Sequence, residues 1–195
     1  MTLSFGVFLL ISSVFCCCAH AGCGVVTRQQ WDGLDPTQVE YLPRPLGLVV
    51  VQHTATPACD TDAACVELVQ NIQTNHMDAL KFWDIGPNFL IGGNGKVYEG
   101  PGWLHVGAHT YGYNRKSIGI SFIGNFNAKT PTKAALDAAE ALLKCGVREG
   151  HLSRSYAVVG HRQLIATESP GRKLYQIIRR WPNYLEDIDK IKNNK

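Results

Sequence analysis

The stretch Leu46-Gly-Leu-Val-Val-Val-Gln-His-Thr-Ala55 decides how this chain is read. Its apolar part is short, continuous and rich in valine, which suits a strand buried on both faces of a sheet. The run stops abruptly at Gln52, His53 and Thr54. Polar groups at a strand's end lie where open α/β sheets place their binding crevice. Residues 158–171 (VVGHRQLIATESPG) have the same form, with His161, Thr167 and Ser169 following an apolar strand. If these strands are neighbours, His53 and His161 open onto one cleft.

Working outward, residues 65–81 place Val66, Val69, Ile72 and Gln73 on one helical face, continued by His76 and Leu80. This predicts a helix that ends before Gly86 and Pro87. A short strand over 88–91, a Gly-Gly-Asn-Gly turn over 92–95 and a return strand over 96–99 make a hairpin. Residues 104–114 are rich in His, Tyr and Gly and read as a surface loop with a possible functional role. Residues 117–123 read as a central strand. Thr130 as cap and Pro131 as first residue predict the start of a second helix. Its apolar face carries Ala135, Leu136, Ala139, Leu142, Leu143 and Val147. The last strand is expected over 156–159, and a third helix over 172–181 with Leu174, Ile177, Ile178 and Trp181 facing in. The charged tail to Lys195 is expected to fray. Upstream, residues 23–30 form an arm leading to Trp31, an anchor against the body. Pro36, Pro43 and Pro45 then break the chain into an ordered loop. Strands interleaved with helices make this α/β: a mixed central sheet flanked by three main helices.

A chain of 195 residues is most simply one domain. A net charge of +3 is far from what a dedicated nucleic-acid binder carries. Residues 5–18 are apolar but too short to span a bilayer, and Ala19-His20-Ala21 has the small residues a signal peptidase reads. The expectation is therefore a signal peptide over 1–21, a secreted domain over 22–195 and no membrane span. Cleavage removes Cys16, Cys17 and Cys18 and leaves Cys23, Cys59, Cys65 and Cys145. An even count in a secreted chain reads as disulfides, with three pairings possible. Cys59 and Cys65 flank a loop small enough to close on itself, which leaves Cys23 to pair with Cys145 and pin the arm to a helix. No CxxC pair points to structural zinc.

The segments VVVQHTA, DIGPNFLIGGNGKVYEGPGW, GAHTYGYNRKSIGISFIGNF and GHRQLIATESPG together resemble the signature segments of the peptidoglycan recognition proteins. The resemblance runs in order from about Cys23 to Trp181 and is closest to the short secreted insect members. It implies a phage-lysozyme/amidase-like fold. Catalytic members of that family hold one zinc through two His, one Cys and a water, and cut between muramic acid and the stem peptide with an assisting Tyr. The resemblance puts Gln52 at the first ligand position, Pro87 at the assisting Tyr and Ser169 at the Cys, leaving His161 as the second ligand and Thr167 beside the metal position. An amide and a neutral hydroxyl are poor zinc ligands beside imidazole and thiolate. The expectation is no metal, no cofactor and no amidase activity. The alternatives are a zinc amidase with a site rebuilt from His53, His76 or His109, or a directly bactericidal binder.

What remains is a groove. The family's contact positions fall on His53, Thr54, His76, Lys81, Phe82, Pro87, Pro101, His109 and Asn114, with His161 and Thr167 beside them. His105 and His151 match no contact position and read as surface residues. The implied partners are bacterial peptidoglycan and a downstream protein of a protease cascade of the prophenoloxidase or Toll type. Phe82, and Pro101 in place of the family's Arg, lean towards lysine-type peptidoglycan.

Overall fold

The computed structural model describes residues 23–192, so the expected signal peptide lies outside the described residues. Strand β2 (Leu46–His53) lies inside the sheet between β5 (Ile118–Phe122) and β6 (Leu152–Gly160), parallel to both. Val49, Val50 and Val51 are fully buried, as an unbroken apolar run between two covered faces requires. Beyond β5 come β3 (Phe89–Ile91), then β4 (Val97–Glu99), antiparallel through the tight turn at Gly92 to Gly95, and last β1 (Val25–Val26), parallel to β4. The order is β1-β4-β3-β5-β2-β6, the mixed sheet that was expected. β6 is longer than the predicted 156–159, because a bulge between its pairings with Leu46 and Leu48 absorbs the polar residues before Ala157.

Alternation along β3 fixes the two layers. Phe89 and Ile91 join the larger core with Ala135, Ala139, Leu142 and Leu143 of α2 (Lys133–Arg148) and Leu174 and Ile178 of α4 (Arg172–Ile178). Leu90 points to the other core, under Cys65, Val69 and Ile72 of α1 (Asp62–Thr74). Trp31 sits there fully buried, its indole N–H donating to the Glu99 carbonyl at 2.9 Å, which makes the expected anchor. Disulfides join Cys59 to Cys65 and Cys23 to Cys145. The second ties the arm to α2 across 122 positions.

Helix boundaries differ from the sequence reading for local reasons. α2 starts after Thr132, not Thr130, because the Thr132 hydroxyl accepts the Ala135 N–H. α1 starts earlier than predicted, with Thr61 capping Ala64, and stops at Thr74. A π-helical turn follows (Asn75–Ala79), and Lys81 takes the left-handed backbone (φ 58°) usually left to glycine. Phe82 N–H then returns to the His76 carbonyl at 2.9 Å, turning the chain back over the widened helix end. α4 ends at Ile178, with Ile177 only half-buried and Trp181 partly buried against the larger core.

The tail does not fray within the described residues. Tyr184 bridges to Val158, and Leu185 N–H donates to the Val158 carbonyl at 2.9 Å, covering the free edge of β6. Leu185, Ile188 and Ile191 pack with Leu48, Val50 and Leu164, the last on α3 (His161–Leu164); a short α5 (Asp189–Lys192) follows. These three apolar residues outweigh the charges around them. Among the described residues no helix is long and apolar enough to cross a membrane.

Candidate ligand-binding groove

Because Val51 pairs with Gly160, Gln52 and His161, the next residue of each chain segment, come at the same end of the sheet. Here two cavities form one groove. An inner lobe of about 390 Å³ is lined by Gln52, His53, Thr54, His76, Pro87 and His109, among others. An outer lobe of about 270 Å³ holds Lys81, Pro101 and Asn114. Phe82 and Ala108 belong to both and mark the join. Nine of the expected contact residues therefore line one continuous surface, although they come from four separate parts of the chain.

The π-helical turn and the left-handed Lys81 put Phe82 in this position. They fold the chain back so that its ring lies 5.5 Å from that of His76. His76 Nδ1 accepts the Gly86 N–H at 2.9 Å, and burial pushes its pKa below the usual imidazole range. The neutral ring therefore carries its proton on Nε2. His53 is held alike: Nδ1 accepts the Phe126 N–H at 3.3 Å, and burial is the main cause of its lowered pKa. The groove thus has two imidazoles whose free nitrogen is a donor, suited to peptide carbonyls.

Other expected contacts serve the scaffold. The Thr54 hydroxyl accepts the Gly124 N–H at 2.9 Å and shares a bond with Thr56 at 2.7 Å. The Asn114 side-chain oxygen accepts from the backbone of His109 and Thr110, leaving its amide nitrogen for a ligand. Thr167 accepts the Ser169 N–H at 3.2 Å and lies outside the lining of both lobes, as does His161. His161 is half-buried, and its Nε2 has no hydrogen-bond partner. Burial, then the charge of His53, pushes its pKa down to about 4. His109 is buried where Gly119 leaves room: a Cβ there would come 2.4 Å from the ring. Burial, then the charge of His161, takes His109 down to about 3.

The two histidines read as surface residues are not fully exposed. His105 lines the outer lobe, where Tyr41 bridges to it across the loop. His151 stacks on Trp103 with ring centroids 5.0 Å apart. The sequence reading missed Glu40 and Arg115, which meet across the outer lobe from positions 75 residues apart. Glu40 lies in a loop and Arg115 in a three-residue 3-10 turn (Asn114–Lys116), so no spacing pattern could have joined them.

The Amidase_2 family model, N-acetylmuramoyl-L-alanine amidase, matches residues 42–173. The fold is that of the amidase class. A Bombyx mori peptidoglycan recognition protein is 68% identical over 173 residues, covering 89% of this chain and 88% of that one. The structure of Manduca sexta Peptidoglycan Recognition Protein-1 superposes with a TM-score of 0.85 at 59% identity, covering 88% of this chain and 98% of that one. The peptidoglycan recognition protein LE, solved with tracheal cytotoxin, a monomeric diaminopimelic acid-type peptidoglycan, gives a TM-score of 0.82 at 43% identity, covering 83% and 96%. Within the amidase class, this chain belongs to the peptidoglycan recognition proteins.

The catalytic zinc of the class does not fit these donors. Gln52 Nε2 donates to the His109 carbonyl at 2.7 Å and to the Thr110 hydroxyl at 3.0 Å, so the side chain is tied to the wall. Ser169 Oγ accepts the His53 N–H at 3.1 Å. Among the described residues, no three His, Cys, Asp or Glu side chains stand together where they could hold a metal ion. Three strong ligands are what such a site needs.

Proposed function

We propose that this protein is a secreted receptor that binds bacterial peptidoglycan without cleaving it and passes the signal to a protease cascade of the prophenoloxidase or Toll type. The observation that carries this reading is the state of the floor. Gln52 and Ser169, at the two substituted ligand positions, are hydrogen-bonded into the wall, while the groove beside them stays open with fixed donors. Such a site can hold a glycopeptide but has nothing to polarise its amide bond. The relatives named for peptidoglycan recognition, and the one solved with a muropeptide, support the ligand class.

His53, His76, Lys81, Phe82, Pro87, Pro101, His109 and Asn114 are the proposed contacts. Thr54 and Thr167 hold the surrounding loops, and His161 sits at the buried corner. The test is to incubate the purified protein with insoluble peptidoglycan and to measure both pelleting and released stem peptide. Retention without release is expected. Release, or tight one-to-one zinc binding by calorimetry, would overturn the non-catalytic reading, and a protein that stays in the supernatant would overturn the receptor.

A further inference from the structure

A third cavity lies away from the groove, between α2, β6 and the turn that follows α4. At about 470 Å³ it is larger than either lobe of the groove. It is on the other face of the sheet: Leu143 and Val158, which line it, belong to the larger core, whereas Ile72 of the inner lobe belongs to the core under α1. Leu136, Leu143, Val147, Tyr156, Val158 and Trp181 make its wall apolar. Leu143 and Val158 are buried, but the other four are only partly so, which leaves apolar surface for a ligand to cover. The shape is set by backbone. The Asn183 side-chain nitrogen donates to the Tyr156 carbonyl at 2.8 Å, and the Asn183 carbonyl accepts the Val158 N–H at 2.8 Å, so the turn after α4 is tied to β6.

Four charged residues also line the cavity: Asp137, Glu140, Lys144 and Arg154. Three are committed along α2. Asp137 pairs with Lys133 at 2.6 Å, and Glu140 with Lys144 at 2.5 Å, each four positions apart. Arg154, exposed on β6, has no ion-pair partner among the described residues. The cavity therefore offers one uncommitted charge, and it is positive. An uncharged apolar molecule would cover the wall and leave Arg154 unused. A cationic one would meet its repulsion. An aliphatic chain ending in a carboxylate satisfies both features, since a guanidinium matches a carboxylate through two parallel bonds. We propose that this cavity is a second ligand site, for a single-chain anionic amphiphile of the fatty-acid class. The chain lies against Leu136, Val147, Tyr156 and Trp181, and Arg154 holds the carboxylate. This site stands independently of the peptidoglycan reading.

The test is calorimetry of the disulfide-bonded protein at pH 7 with decanoate, decanol and decyltrimethylammonium, each below its micelle concentration. Decanoate should bind one to one and about tenfold more tightly than decanol, the scale of one charge-assisted hydrogen bond. Decyltrimethylammonium should bind more weakly than decanol. Octanoate should bind about tenfold more weakly than decanoate, the effect of two methylenes. Arg154→Gln, at an exposed position, should bring decanoate down to the level of decanol, and Arg154→Lys should restore part of the difference. Leu136→Trp should fill the cavity and abolish binding of all three probes, with circular dichroism checking that the fold is kept. Equal affinities for the three probes, a preference for the cation, a decanoate preference that survives Arg154→Gln, or no binding would overturn this inference. So would decanoate binding that survives Leu136→Trp, or a dimer in sedimentation that Leu136→Trp abolishes, which would give the face to a second copy of the chain.

Discussion

The two lobes of the groove use polar groups in opposite ways. On the floor of the inner lobe, Gln52, His109, Thr110 and Ser169 are buried, neutral and bonded to each other or to backbone. In the outer lobe, Glu40 and Arg115 pair near solvent, and Lys81 stands exposed beside them. Buried polar groups are costly unless every bond is made, so the floor is structural and stiff. Exposed charges contribute little to folding and stay available to a ligand. On this reading the floor keeps the groove's shape, and the outer lobe keeps its charges within reach of solvent.

Asp84 is the sharpest test of this contrast, since it lines the outer lobe yet is buried like the floor. Asp84→Ala strands the largely buried Arg28 and removes the acceptor for Gln73 and Ile85. Urea denaturation at pH 7 should show a loss of about 3–5 kcal/mol. A loss as small as that of an exposed pair would mean the lobe's charges form one class. Next comes Gln52→Leu, which leaves the His109 carbonyl without its side-chain donor. The same measurement should give a loss of about 1–3 kcal/mol.

A smaller effect follows from two imidazoles at this end of the sheet, His109 in the inner lobe and His161 outside its lining. Burial is the main cause that depresses His109 to about 3 and His161 to about 4, while an unfolded imidazole titrates near 6.5. Below 6.5 the unfolded chain therefore takes up protons that the folded chain refuses. Their contribution to stability is full above 6.5 and is lost as pH falls towards about 4. Thermal melts at pH 7, 5.5 and 4 should show wild type losing more than His161→Gln over this window. Parallel losses in the two proteins would remove these histidines from the account. Smallest of all, Glu40→Gln should leave the melting midpoint unchanged, because its pair with Arg115 is solvated. A clear drop would make that pair part of the scaffold.

Much of this was legible in the sequence because it rests on short-range pattern. The valine run of β2 fixed a buried strand, and its polar end placed Gln52 and His53 at the crevice. The spacing of Cys23, Cys59, Cys65 and Cys145 left the pairings that the structure shows. Family resemblance supplied the contact residues, nine of which line the groove. Helix ends were less legible. Thr130 and Thr132 are chemically equal caps, and only the Ala135 N–H selects between them. The widened turn after Thr74 has no signature in apolar spacing, yet it aims Phe82. In the tail, Leu185, Ile188 and Ile191 looked too sparse for order until Leu48 and Val50 gave them a surface.

By itself the sequence determined the α/β class and the central strand, which follow from residue type and near-neighbour spacing, and its signature segments carried the resemblance to the family. Only the tertiary structure decided that Gln52 and Ser169 are tied into the wall, that Thr54 serves the scaffold, and that Glu40 meets Arg115 beside Lys81. The reason is physical: whether a polar side chain is free or spent depends on which distant donor or acceptor folding brings within 3 Å or so of it.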